Sequence, residues 1–74
     1  PIITQVYTKG SLLHLTMSED TTCEYSTKGE FTFGSGTRMT GDNTRDHEAP
    51  LDSKIYYVRC KDIFNNLGSY KIYP

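Results

Sequence analysis

The sequence has no tryptophan, only two cysteines, and no apolar run near the ~20 residues needed to cross a bilayer. It carries no signal-peptide pattern, so a secreted protein with this sequence would be a mature or excised form. The net charge is −1, which argues against the basic stripe that nucleic-acid-binding surfaces use to displace counterions. We therefore expect neither a membrane span nor a nucleic-acid partner.

The chain of 74 residues is long enough for one domain, residues 1–74. Domains of this size bury only about 60% of their unfolded surface, and their cores are marginal without a disulfide, a metal or a partner. Only 35% of the residues are apolar, and six tyrosines and three phenylalanines supply many of them. Aromatic rings must therefore form much of the core.

The two cysteines, Cys23 and Cys60, are best explained as a disulfide. His14 and His47 would complete a zinc set, but the CxxC and HxxxH spacings of such sites are missing. A bridge would close about half of the chain into a loop, which is worth on the order of 4 kcal/mol in the chain-entropy model. Since disulfides persist in oxidising compartments, we expect an extracellular or cell-surface protein.

Strand patterns recur along the chain at short intervals, and no convincing helix pattern is present. Leu13, Leu15 and Met17 share one face of a predicted strand, and Tyr56 and Val58 alternate in the same way. The sequence SEDT at residues 18–21 predicts a turn, and residues 41–53 predict a polar loop. The predicted strands are residues 2–7, 12–17, 22–26, 31–33, 55–60 and 69–73, with at most a short additional strand near His47.

The stretches TTCEYST at residues 21–27 and YYVRCKD at residues 56–62 resemble the immunoglobulin-like or fibronectin type III-like repeats of large prokaryotic surface proteins. The resemblance implies an all-β sandwich of six to seven strands with one disulfide. The glycine usual in the turn after the second stretch is replaced by Asn65, which tolerates positive φ. The segment between His47 and Tyr56 is shorter than in those repeats, so a strand there is expected to be trimmed or missing.

If the two cysteine strands are neighbours, Cys23 and Cys60 occupy adjacent inward positions. Glu24 and Arg59 would then point outward as an exposed cross-strand pair worth about 0.2–1 kcal/mol. Tyrosines around an arginine form the flat amphipathic surface that docks proteins or sugars. The predicted binding face consists of Glu24, Tyr57, Arg59, Lys71 and Tyr73.

No motif for catalysis or for a cofactor is present, and we expect a non-enzyme without a cofactor. The only acid–histidine cluster, Asp46-His47-Glu48, is interpreted as part of a solvated loop. His14 is interpreted as a surface residue on the polar side of its strand.

A calcium site is the minor alternative for the polar loop, which we otherwise interpret as an ordinary turn-rich segment without metal. The EF-hand pattern fails there, because His47 stands at the glycine position and Ser53 at the position of the bidentate glutamate. The candidate oxygen donors are Asp42, Asn43, Asp46 and Glu48.

The first predicted strand is β-prone and nearly uncharged, so it could pair within its own sheet or cross to a neighbouring copy. These considerations predict a non-catalytic structural subunit or repeat of a surface appendage, such as a pilus, filament or adhesin stalk, with strand exchange as one route of assembly. Its partners would be copies of itself or neighbouring domains of the same protein. The alternative is a recognition module for a glycan or protein ligand, acting through the Tyr/Arg face. The strand-exchange segment consists of Ile2, Ile3, Thr4, Gln5, Val6 and Tyr7.

Overall fold

A computed structural model of the chain describes all residues, 1–74, and contains strands but no helix. The predicted all-β class is therefore confirmed. The six strands are β1 (Ile3–Lys9), β2 (Leu12–Ser26), β3 (Thr37–Arg38), β4 (Thr44–Pro50), β5 (Tyr56–Asp62) and β6 (Leu67–Ile72).

All six strands belong to one antiparallel sheet that curls into a half-barrel. The long strand β2 organises it, because its two halves have different neighbours. Residues 12–17 of β2 pair with both β1 and β4, whereas residues 21–26 pair with β5 and β3. Strand β6 then pairs with β5 and forms an outer edge of the sheet.

The predicted turn at residues 18–21 is wrong, since β2 runs through it without a break. Thr21 lies opposite Asp62 of β5 and Thr44 of β4, so the sheet engages the backbone at this point. The pairing of β2 with β4 shifts register between Thr16 and Thr21, which marks a bulge or irregularity. The polar sequence reflects the exposure of Ser18 and Asp20, and it does not end the strand.

Residues 31–33, predicted to form a strand, lie instead in a loop that we call the covering loop, residues 30–36. The amide of Ser35 donates a hydrogen bond to the carbonyl of Thr32, which closes a turn within this loop. The strand that follows, β3, has only two residues.

The polar loop expected at residues 41–53 contains a seven-residue strand, β4. His47 and Ala49 point into the core, and the residues between and beside them are more exposed. The expectation of at most a short strand is therefore wrong. The strand was missed because its period-2 alternation depends on one histidine and one alanine in an otherwise polar segment.

The core lies inside the curl, between the two halves of the sheet. Leu13, Leu15 and Met17 are each at most 1% exposed, which confirms the face predicted for them. Their partners in the core come from both halves of the sheet and from the segment after β3. Tyr56 is the only aromatic residue among them, so the expectation of a largely aromatic core is wrong. The buried apolar cluster consists of Leu13, Leu15, Met17, Cys23, Met39, Ala49, Tyr56, Val58, Cys60 and Ile72.

The disulfide between Cys23 and Cys60 is confirmed. The two residues lie directly opposite each other in β2 and β5, with their Cα atoms 4.1 Å apart. Such a short separation is typical of an antiparallel pair that is not hydrogen-bonded. Because both cysteines are fully buried, the bridge is part of the core.

Two positions in the hairpins require positive φ. Gly10 has φ of 60° in the tight connection between β1 and β2, where glycine avoids a steric cost. Asn65 has φ of 67° in the connection between β5 and β6, which confirms the conformation predicted for it. Both are conformations that asparagine and glycine accept more readily than other residues.

Candidate functional site

The predicted binding face lies mainly on the outer side of β5 and β6. Tyr57 lies opposite Lys71 in the register of these strands, and Arg59 lies opposite Ser69. Tyr73 follows β6 and is 68% exposed. The structure therefore brings four of the five predicted residues to one side of the β5–β6 hairpin. The fifth, Glu24, lies in β2 and is buried.

Glu24 lies opposite Arg59, as predicted, but it is only 3% exposed and does not pair with it. One carboxylate oxygen accepts hydrogen bonds from the amides of Gly34 and Gly36, at 2.8 and 3.1 Å. The other lies 3.5 Å from the guanidinium of Arg38. The predicted exposed cross-strand pair is thus wrong, because the covering loop lies over Glu24 and donates both backbone hydrogen bonds to its carboxylate.

Arg59 is held in a fixed orientation at the face. Its Nε donates to the hydroxyl of Ser69 at 2.9 Å, and its Nη1 donates to the carbonyl of Phe31 at 2.9 Å. These bonds use two of the five N–H donors of the guanidinium. Arg59 therefore joins the covering loop to β6 and keeps further donors available.

Lys71 lies between two aromatic rings. Its Nζ is 5.5 Å from the ring centre of Tyr57 and 5.8 Å from that of Tyr73, both within cation–π range. The nearby hydroxyl of Tyr73, followed by the electrostatic influence of Tyr57, raises the pKa of Lys71. Lys71 therefore remains cationic at physiological pH.

An open cleft of about 550 Å³ lies between the covering loop and the outer face of β5 and β6. Its floor includes Tyr57, Arg59 and Lys71, and its wall includes Glu30 and Phe31. The volume is in the range of about 300–1,000 Å³ typical of small-molecule sites. The sequence alone could not reveal this cleft, because its wall is a loop predicted to be a strand.

The acid–histidine cluster is not a solvated loop. His47 is fully buried, with Nε2 3.0 Å from the hydroxyl of Thr21 and Nδ1 2.9 Å from the carbonyl of Thr40. Because a carbonyl can only accept, Nδ1 carries a proton. Both nitrogens are thus engaged by the protein interior, and His47 connects β2, β4 and the segment before β4.

His14 is less exposed than predicted. Its side chain is 15% exposed, and its ring stacks on that of Tyr7 with centres 4.7 Å apart. Its Nδ1 lies 3.2 Å from the carboxylate of Glu48 on β4. His14 therefore links three neighbouring strands of the first half of the sheet.

The four calcium candidates have different partners. Asp42 accepts a hydrogen bond from Arg38 at 2.9 Å, Asp46 accepts one from Thr16 at 3.3 Å, and Glu48 contacts His14. Asn43 lies in the turn before β4, where its φ is 60°. No group of three or more acidic, histidine or cysteine side chains is placed to hold a metal ion.

Strand β1 contains nearly all of the segment predicted for strand exchange, and it pairs with β2 of its own chain. The amide of Leu51 donates to the carbonyl of Ser11, so Ser11 bonds on the β4 side of β2. Successive residues of a strand bond to opposite sides, and this one bond therefore assigns the side of every residue that follows. Leu13 and Leu15 then bond to β4, and the residues between them bond to β1. Along β1, the backbone N–H and C=O groups of Val6 and Thr8 consequently point away from β2, toward the open edge.

Asp62 organises the β5–β6 connection, a role that the sequence did not reveal. Its carboxylate accepts hydrogen bonds from the amides of Phe64 and Asn66 and from the Asn66 side chain, at 2.8–2.9 Å. Burial opposes the charged form, but the bonds from Asn66 and Phe64 outweigh it and lower the pKa of Asp62 to about 2. A hydrogen bond to Asp62 raises the pKa of the neighbouring Glu19.

No family model, curated protein or solved structure shows a significant match to this chain. The structure contains no helix of the length and hydropathy needed to span a bilayer.

Proposed function

We propose that the protein is a non-catalytic structural module of the cell surface, a subunit or repeat of an extracellular appendage, whose copies associate through β1. The observation that carries this proposal is the outer edge of β1, where the outward residues Val6 and Thr8 are exposed and uncharged. The disulfide supports it, since it suggests an oxidising, extracellular-type environment.

The edge of β1 has the properties of a pairing surface. Beyond a register shift between Ile3 and Gln5, its outward backbone groups belong to Val6 and Thr8, and most of β1 is exposed. Unpaired strand edges accept strands from other chains unless charge, proline or a bulge blocks them. On the edge strand β6 the outward positions include Lys71, and the edge strand β4 is charged at three of its seven positions, which protects both edges. A neighbouring copy would therefore meet less resistance at β1.

We further propose that the curled sheet is a small immunoglobulin-like or fibronectin type III-like sandwich. In this interpretation β1, the first half of β2 and β4 form one layer, and the second half of β2, β5 and β6 form the other. Support comes from the shared core, in which Leu15 and Met17 of the first half lie in one cluster with Val58 and Cys60 of the second. The resemblance of the two cysteine strands to surface repeats points in the same direction.

The test is light scattering across a concentration series, with electron microscopy of the same samples. Val6→Pro removes an amide that does not bond to β2, so the variant should fold and yet lose pairing at the edge. Val6→Thr keeps the amide and is the matched control. We expect the wild type and Val6→Thr to associate with increasing concentration and Val6→Pro to remain monomeric. A wild type that stays monomeric throughout, or a Val6→Pro variant that associates equally well, would contradict assembly through β1.

A second candidate function, recognition of a glycan or protein ligand, is favoured by the cleft beside the oriented side chain of Arg59. A screen against glycans and proteins would test it with Tyr57→Ala and Arg59→Ala as variants. Loss of capture in both variants is expected of a recognition module. A structural module should keep its assembly with either change.

A further inference from the structure

The outer face of β5 and β6 is cationic, although the whole chain has a net charge of −1. Arg59 and Lys61 alternate along β5, and Lys71 lies on β6. None of the three has a carboxylate within ion-pair distance, whereas Arg38 has two. One acid, Glu30, lines the cleft. Three cations against one acid leave the face with a net positive charge, and its complement is an anion.

Arg59 selects among anions by its geometry. Three of its five N–H donors have no acceptor in the protein, and the two bonds to Ser69 and Phe31 fix the guanidinium plane. A planar guanidinium matches a planar carboxylate through two parallel hydrogen bonds. Because the side chain is already oriented, little further conformational entropy is lost when a carboxylate binds.

The cations of this face also lie beside aromatic rings. Lys71 is placed over Tyr57 and Tyr73, and Lys61 lies 5.4 Å from the ring centre of Phe33. The ring of Tyr57 lines the cleft next to Arg59. A tyrosine ring has an apolar body with a polar tip, which suits a ligand that combines a C–H face with hydroxyl groups. A sugar ring that carries a carboxylate has this combination.

We infer that the cleft binds the uronic acid units of an acidic polysaccharide, with the carboxylate on Arg59 and Lys71 and the sugar ring against Tyr57. The inference rests on the recognition function proposed for the same face. A nucleic acid fits less well, because the oxidising environment and the small, locally confined positive charge do not favour a long phosphate backbone.

The experiment measures binding of an oligogalacturonate by calorimetry, with its methyl ester as the neutral counterpart and a single-stranded oligonucleotide as the competing anion. Arg59→Gln and Lys71→Gln remove the two proposed contacts. Lys54→Gln makes the same charge change at an exposed residue outside the cleft. Lys71→Gln breaks no hydrogen bond to the backbone, so it tests the site even if Arg59→Gln disturbs the covering loop.

We expect each cleft variant to weaken binding of the oligogalacturonate by about tenfold or more, and Lys54→Gln to leave it within about twofold. The methyl ester should not bind. The inference is overturned by equal losses in all three variants, by binding of the ester, by preference for the oligonucleotide, or by no binding of the uronate. If the uronate fails while another ligand is lost in Tyr57→Ala, the recognition function stands and only the ligand class is wrong.

Discussion

The buried carboxylate of Glu24 should be one of the main determinants of stability, and Glu24→Ala tests this directly. The side chain accepts hydrogen bonds from the amides of Gly34 and Gly36, and it is nearly inaccessible to water. A hydrogen bond to a charged group contributes about 1.5–3 kcal/mol. The ion pair with Arg38 adds little, because the Arg38 side chain is half exposed.

The two backbone bonds together predict a loss of about 3–6 kcal/mol in the free energy of unfolding for Glu24→Ala. The total for a domain of this size lies toward the lower end of about 5–15 kcal/mol, so the variant should be close to unfolding. Glu24→Gln keeps an oxygen acceptor and loses the charge, for which we expect about 1–2 kcal/mol.

Urea unfolding with the disulfide intact measures these free energies, and amide hydrogen exchange at Gly34 and Gly36 reports on the loop itself. Glu30→Ala is the matched control, since Glu30 lies in the same loop but is exposed. It should change stability by no more than about 0.5 kcal/mol. A loss below about 1 kcal/mol in Glu24→Ala, with exchange at the two glycines unchanged, would refute the assignment.

Three further predictions concern the disulfide, the turn and the buried histidine. Replacing Cys23 and Cys60 by alanine should lower the free energy of unfolding by about 4 kcal/mol, given their separation of 37 residues, and an unchanged urea midpoint would contradict this. Because the pKa of Asp62 is lowered to about 2, its contribution to stability is present above its ordinary value and is lost as the pH falls toward 2. Between pH 5 and 2 the free energy of unfolding should therefore fall less for Asp62→Asn than for the wild type. An equal fall in both proteins would exclude the effect. His47→Leu leaves the hydroxyl of Thr21 and the carbonyl of Thr40 without partners, so it should lower the free energy of unfolding by about 2–4 kcal/mol. An unchanged thermal midpoint would contradict this prediction.

The strands that the sequence predicted well are those with strong apolar alternation. Tyr56, Val58 and Cys60 alternate with partly exposed residues, so both the strand and its buried face could be predicted. Adjacent inward positions for Cys23 and Cys60 were expected on the condition that their strands are neighbours, and the register of β2 and β5 confirms both the pairing and the positions.

The errors occurred where polar residues are used as structural residues. His47 and Thr21 are buried because they satisfy each other, and neither residue type signals a core position by itself. Four of the 14 buried residues are polar or charged, and no buried side-chain nitrogen or oxygen lacks a hydrogen-bond partner. A chain with few apolar residues thus completes its interior with paired polar groups, and such pairs depend on tertiary contacts that a period-2 pattern does not contain.

Paired polar groups also connect the stability of the protein to the shape of the cleft. Glu24 and Arg59 lie opposite each other in β2 and β5, yet each bonds to a different part of the covering loop. Glu24 holds the glycines at its end, and Arg59 holds the carbonyl of Phe31 near its beginning. Since this loop forms the wall of the cleft, loosening it through Glu24 should weaken a ligand on Arg59 even though Glu24 does not line the cleft. Glu24→Gln would then weaken uronate binding and lower stability together, whereas Lys71→Gln would weaken binding alone. Equal uronate affinity in Glu24→Gln and the wild type would show that the loop and the arginine act independently.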